Sequence, residues 1–334
     1  MTTRRLALRC GQVVLSLGLL TYLVATIPMH DVLATLQSAR TTWFVGGFAI
    51  VGATTLLAAL QMRAILATQG MPFSVWQVAG INLITNFYGL FLPSSLAGGV
   101  IRWHHFSTPE GKRAQALAAI IFSRGVEVVT MLGYGIVFWY FANSKVSSAS
   151  AVAAMIVTLT AVVFIVLLSV SQAPHAMLRA ALTRLPLARH ILERILRVST
   201  CLVDFGRCGR RHQLRILLLC IVRNAFAVAA FICFARALNI AVPAVDLGWV
   251  RAVVDLVLII PISIAGLGVR DASLVAMLSP LGVPSAVALA LSFLLLAVSL
   301  FVALLGGLVE GWRIYNGIAP GLAKPQVNED IDGP

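Results

Sequence analysis

The chain has 334 residues, of which 60 % are hydrophobic and only 11 % charged, with a formal net charge of +13. An average soluble domain carries roughly 25 % charged residues, so this composition leaves apolar surface with no interior to hide in and excludes a soluble catalytic domain. In so apolar a chain the excess of positive charge reads as basic loops on one side of a membrane, not as a nucleic-acid interface.

Apolar stretches long enough to cross ~30 Å of hydrocarbon at ~1.5 Å per residue fall at about 8–27, 43–62, 114–141, 150–171, 214–238 and 285–309. Two more, near 75–92 and 247–264, are interrupted. The first follows Arg4, Arg5 and Arg9, as a signal peptide would; its length and the lack of a small-x-small cleavage site before Pro28 favour an uncleaved first span. The polar connection at 172–213 carries Arg179, Arg184, Arg189, Arg194, Arg197, Arg207, Arg210 and Arg211 against Glu193 and Asp204, which predicts a cytoplasmic loop. Its periodic Leu178, Leu182, Leu185, Ile191 and Ile195, broken at Pro186, fit amphipathic helices on an anionic leaflet or a solvated topology signal. A polar tail follows at 319–334, and residues 1–318 form a single integral-membrane unit.

Counting spans from the basic loop, with both termini cytoplasmic, leaves segment 75–92 beginning and ending on one side and segment 247–280 beginning and ending on the other. The fold class that follows is an all-α polytopic membrane protein with about six full transmembrane helices plus two inverted re-entrant helical hairpins. The two turns support this. PSSLAGGVIR at 93–102 and PISIAGLGVR at 261–270 align without gaps and coincide at five of ten positions. Inverted repeats are thus expected around 75–141 and 247–309, an arrangement that places substrate sites where interrupted helices meet near the midplane.

Each turn ends on an arginine, and a charge at membrane depth usually faces a partner or a polar path. Arg102 and Arg270, with Ser95, Ser263, Gly98, Gly99, Gly266, Gly268 and Asn86 around them, are the candidate substrate-binding residues. Planar guanidinium and free backbone N–H groups suit a phosphate. The alternative is that Arg270 pairs with Asp271 and Arg102 anchors at the interface. Asn82 with Asn86 and Arg251 with Asp255 are i,i+4 pairs on one helical face. Arg124 with Glu127, and Arg223 with Asn224, lie inside predicted spans. Glu127, Asp255, Asp271 and Arg124 are the candidates for ion coupling.

His104 and His105 beside Trp103 read as interface anchors. Cys10, Cys201, Cys208, Cys220 and Cys233 form no CxxC pair, so free thiols are expected and neither a metal site nor a cofactor. The chain has no GxxxxGK[ST] nucleotide loop, which leaves passive, ion-coupled or partner-driven transport.

These motifs resemble the lysylphosphatidylglycerol synthase transmembrane family, the flippase-like membrane proteins. The resemblance rests on residues 86–102 (NFYGLFLPSSLAGGVIR), on Ser123-Arg124-Gly125 with Glu127, and on residues 261–271 (PISIAGLGVRD). Family members typically have an acidic residue after the first Gly-Gly, an Asp before the middle Arg, and Arg-Glu closing the last motif; Val100, Ser123 and Asp271 stand there in this chain. The resemblance implies leaflet-to-leaflet movement of an anionic or glycosylated lipid in a bacterial inner membrane, the ligand being a phospholipid or polyprenyl-phosphate headgroup. A lipid- or glycan-synthesis enzyme is a candidate partner. In bifunctional members this unit precedes a cytosolic aminoacyltransferase; with only a short polar tail after Trp312, lysine transfer is not expected here and the chain is not read as an enzyme. Two other classes stay open: a non-transporting subunit that presents lipid to a partner enzyme, and a membrane-embedded enzyme acting on lipid phosphates.

Overall fold

The computed structural model describes residues 29–91, 95–107, 112–142, 149–170, 189–259 and 266–316, which are helical with no strand among them. In chain order the helices are α1 (Met29–Gln37), α2 (Thr41–Thr68), α3 (Val75–Phe91), α4 (Ser95–Ser107), α5 (Arg113–Phe141), α6 (Ala149–Val170), α7 (Arg189–Arg207), α8 (Arg210–Ala237), α9 (Ala244–Ile259), α10 (Val269–Leu278) and α11 (Ser285–Tyr315). Helices α2, α5, α8 and α11, of 28, 29, 28 and 31 residues, are long and apolar enough to cross a membrane, so the protein is a multi-pass helical membrane protein. The predicted spans at 43–62, 114–141, 150–171, 214–238 and 285–309 correspond to α2, α5, α6, α8 and α11. The first predicted span lies outside the described residues.

Local chemistry sets where the helices stop. Helix α2 ends before Gly70, which takes a φ of 66°, and α8 ends before Asn239, at a φ of 57°. Glycine adopts that left-handed backbone without cost and asparagine tolerates it, so both can close a helix. Pro243 precedes α9 and Pro284 precedes α11, where a missing N–H costs nothing.

Helices α2 and α8 pack side by side and antiparallel. At one end His212 Nε2 lies 3.0 Å from the Ala64 carbonyl oxygen. At the other, the Arg40 N–H donates to the Ala237 carbonyl at 2.8 Å. Around this pair, α3 packs on α11 and α9 packs on α5.

The interrupted segments form two helical hairpins. Phe73, just before α3, meets Phe106, near the end of α4, with ring centroids 5.3 Å apart. The first hairpin therefore returns to the end where α2 finishes. Likewise Leu247 at the start of α9 shares one apolar cluster with Leu274 and Leu278 of α10 and with Leu238, Ile240 and Val242 after α8. The second hairpin thus opens at the opposite end of the bundle. The four helices of the two hairpins have 17, 13, 16 and 10 residues, roughly 15–26 Å at about 1.5 Å per residue.

The crossings of these hairpins with their long neighbours rest on glycine. A Cβ at Gly306 of α11 would fall on the Leu83 carbonyl oxygen of α3, and one at Gly307 would come within 2.7 Å of the Phe87 ring. On the other side, a Cβ at Gly248 of α9 would come within 2.7 Å of the Phe138 ring of α5, and one at Gly135 of α5 within 3.0 Å of Ala252.

Within the basic connection residues 189–207 form α7, as expected of an amphipathic stretch, but its apolar side is taken up by protein. Val203 and Phe205 are buried, Phe205 stacks on Phe122 of α5 at 4.3 Å, and Gln69 Nε2 donates to the Cys201 carbonyl at 3.0 Å. Burial first, and Asp204 second, push the thiols of Cys201 and Cys208 upward from their ordinary value. Both should therefore alkylate more slowly than a free thiol at neutral pH. A maleimide time course on the purified protein checks this, and labelling of Cys201 at the free-thiol rate would mean that α7 does not dock here.

Candidate functional site

The first hairpin brings its arginine to a cluster of charges on α5 and α8. Arg124 and Glu127, three residues apart on α5, share a helical face; Arg124 Nη1 donates to Glu127 Oε2 at 3.1 Å. Arg223 of α8 reaches the other oxygen, Oε1, with Nη2 at 2.8 Å. Arg102 of α4 is in electrostatic range of Glu127, Arg223 and Arg124, and its Nε is buried without a hydrogen-bond partner. Two guanidiniums thus hold one carboxylate, with Arg102 in electrostatic range of all three. The Arg223 side chain is 17 % exposed and that of Arg124 is 65 %, so the cluster runs from the helix interface outward to the side of the bundle.

Gly98 seats α4 against α3, since a Cβ there would press on Thr85 Cγ2 at 3.3 Å; at Gly99 a Cβ would meet open space. Neither glycine has a positive φ, because α4 is already helical from Ser95 onward. The first motif therefore uses its glycine for close packing. In the second, Gly266 and Gly268 both take a φ of 77° and form the turn itself. The two motifs thus use their glycines differently, the first for close packing and the second for a positive-φ turn.

A polar seam continues from the cluster between α5 and α8. Asn224 Nδ2 donates to Thr130 Oγ1 at 2.7 Å, Thr130 Oγ1 lies 3.1 Å from Cys220 Sγ, and the Tyr134 hydroxyl donates to the Ile221 carbonyl at 3.1 Å. The seam opens into a small cleft lined by Met131, Tyr134, Asn224, Gly248, Arg251 and Asp255. There Arg251 Nε donates to Asp255 Oδ2 at 2.9 Å, and its guanidinium sits 5.7 Å from the Phe231 ring centroid. From Arg124 to Tyr134 the seam follows α5 for about 15 Å.

Arg270, in contrast, is held inside the second half. Its Nε donates to Ser292 Oγ at 3.0 Å, Ser292 Oγ donates to Asp271 Oδ1, and the other Asp271 oxygen accepts the Gly268 N–H at 2.8 Å. Asp271 is fully buried. The alternative that Arg270 pairs with Asp271 describes this site, although Arg270 Nη2 is buried without a partner.

Of the other predicted residues, Ser95 opens α4 and Ser263 lies outside the described residues. Asn82 and Asn86 do not share one environment: Asn82 is buried and Asn86 exposed. His105 is buried and His104 exposed, as adjacent helical residues on different sides. Asp255 and Asp271 are both in ion pairs. Sequence reasoning noticed Arg223 but not that it meets Glu127, and it missed Ser292, Thr130 and Tyr134. Single hydroxyls in apolar helices give no signal of their own.

Four helices long and apolar enough to cross a membrane, packed with two pairs of shorter helices, a cationic cluster beside one pair and a buried ion pair in the other, define a multi-pass membrane protein with polar groups between its helices. The family model described as "Lysylphosphatidylglycerol synthase TM region" matches residues 10–307. The chain belongs to that family. No curated protein and no solved structure matches it.

Proposed function

We propose that this protein moves an anionic or glycosylated lipid between the leaflets of a bacterial inner membrane, the headgroup phosphate being engaged at the cationic cluster beside the first hairpin. The observation that carries this is the cluster itself. Arg124 and Arg223 pair with a single acid, Glu127, Arg102 lies in electrostatic range of it, and an uncompensated cation at membrane depth is costly unless an anion joins it. A phosphate supplies the missing charge, and its oxygens suit the guanidinium fork.

The route is the seam between α5 and α8, which would let a headgroup pass polar side chains while its tails stay in lipid. The hairpins α3–α4 and α9–α10 act as re-entrant elements of an inverted repeat, opening to opposite faces; their mirrored packing, α3 on α11 and α9 on α5, supports this. The exposed Arg63, Arg113, Arg210 and Arg211 gather at the end where α2 finishes and α8 begins, which supports a cytoplasmic orientation of that end; both termini are assigned to the same side. Glu127 and Asp255, each tied to arginine, are the groups through which protons or ions would couple. The chain acts as a carrier and not as an enzyme, with a lipid- or glycan-synthesis enzyme supplying or consuming its lipid.

The test is leaflet exchange in proteoliposomes with headgroup-labelled phospholipids and polyprenyl phosphates. Wild-type protein is expected to accelerate exchange of at least one anionic lipid, and Arg102→Ala to lower that rate tenfold or more. Lipid binding with no exchange of any lipid would replace transport with presentation to a partner.

A further inference from the structure

We infer that the two halves of the molecule divide their roles: the first receives the anion at Arg102, and the second, at Arg270, is a structural lock that takes no ligand. The inference rests on the proposed function for the identity of the anion as a lipid phosphate, and on geometry for the asymmetry.

In the motif alignment Arg102 corresponds to Arg270. Two substitutions separate their surroundings. The residue after Arg270 is Asp271, and the residue after Arg102 is Trp103, whose indole N–H donates to the Arg113 carbonyl at 2.8 Å. Twenty-two residues beyond each arginine, on the following long helix, stand Ser292 in the second half and Arg124 in the first. Ser292 bridges Arg270 to Asp271, so the Arg270 network carries no net charge, although Arg270 Nη2 is buried without a partner. In the first half the bridging position itself carries a cation. Arg223 adds another from α8, and Glu127 satisfies only Arg124 and Arg223 directly. The charge excess and the unpartnered Nε of Arg102 both point to an incoming anion. A buried carboxylate already occupies the equivalent place beside Arg270, and a second anion there would meet its repulsion without solvent to screen it.

The asymmetry has a consequence for transport. Although the backbone repeats, a phosphate is not handed from one arginine turn to the other; a single station lies beside α4, and lipid leaves it along the seam toward Arg251.

The experiment is binding and melting of the full chain in nanodiscs, with phosphatidylglycerol titrated against a phosphatidylcholine background and inorganic phosphate in a parallel arm. Arg102→Gln and Arg124→Gln are expected to weaken the response to phosphatidylglycerol at least tenfold at an unchanged melting temperature. The neutral pair Arg270→Gln with Asp271→Asn is expected to lower the melting temperature and leave affinity within about twofold. Ser292→Ala, which removes only the bridge, serves if that pair does not fold. A response to lipid and none to millimolar phosphate marks the ligand as a headgroup; equal responses mark it as any phosphate, and the asymmetry stands in both cases. Loss of binding in a folded Arg270 or Ser292 variant to the same degree as in Arg102→Gln overturns the division of roles, and so does wild-type protein that binds neither probe. Asymmetric binding without leaflet exchange overturns only the transport proposal.

Discussion

Asp271→Ala is expected to be the most destabilising single substitution in the second half, by about 3–5 kcal/mol, the cost of leaving one member of a buried ion pair alone. Three interactions go at once. Arg270, 3.9 Å from the Asp271 carboxylate, loses its counter-charge. Ser292 loses its acceptor, and the Gly268 N–H at the start of α10 loses its cap, which alone accounts for about 1 kcal/mol. These terms overlap and do not add. Thermal unfolding of the purified protein in one detergent measures the effect, with Asp271→Asn as the graded comparison, since an amide keeps the cap acceptor while removing the charge. Replacing both partners by Arg270→Met and Asp271→Leu should recover much of the loss, because an apolar pair leaves no charge uncompensated. An Asp271→Ala protein that melts with the wild type would mean that the network does not hold α10 in place.

The second large effect is expected at Gly306. Its missing side chain lets α11 lie directly on the backbone of α3 at Leu83, and a backbone carbonyl cannot rotate aside as a side chain can. Gly306→Val must separate the two helices, and overpacking of this kind costs about 1–3 kcal/mol, occasionally more. The first hairpin would lose its seat, so exchange activity should fall with the melting temperature. Gly99→Ala is the matched control: a Cβ there meets nothing within 4 Å, and alanine is the better helix former by about 1 kcal/mol. Equal stability of Gly306→Val and wild type would show that the crossing is looser than its geometry.

Much of the architecture was legible in the residues because hydrocarbon imposes a simple rule. Backbone polar groups must be satisfied within a segment, so spans show as long apolar runs, and α2, α5, α6, α8 and α11 each match one. The two interrupted segments were legible as apolar runs interrupted by proline- and glycine-bearing motifs at 93–102 and 261–270. The site was legible only in part. Arg102, Arg124 and Glu127 stood out as charges in an apolar setting, and Arg124 with Glu127 is a local pair that helical spacing fixes. The contact of Glu127 with Arg223 joins residues 96 positions apart in the chain, and nothing in a periodicity of 3.6 points to it.

What the sequence determined by itself is the class of molecule: a multi-pass helical bundle with two broken helices, each closed by an arginine. What only the tertiary structure decided is that these matching arginines have different fates. The motif is a local feature, and both copies carry the same cation. Its meaning depends on what surrounds it: at Arg270 the neighbouring Asp271 and a hydroxyl, Ser292, from the following long helix, and at Arg102 more positive charge from α5 and α8. Electrostatic environment is set by distances in space, and helix packing brings those groups together without leaving a local trace in the chain.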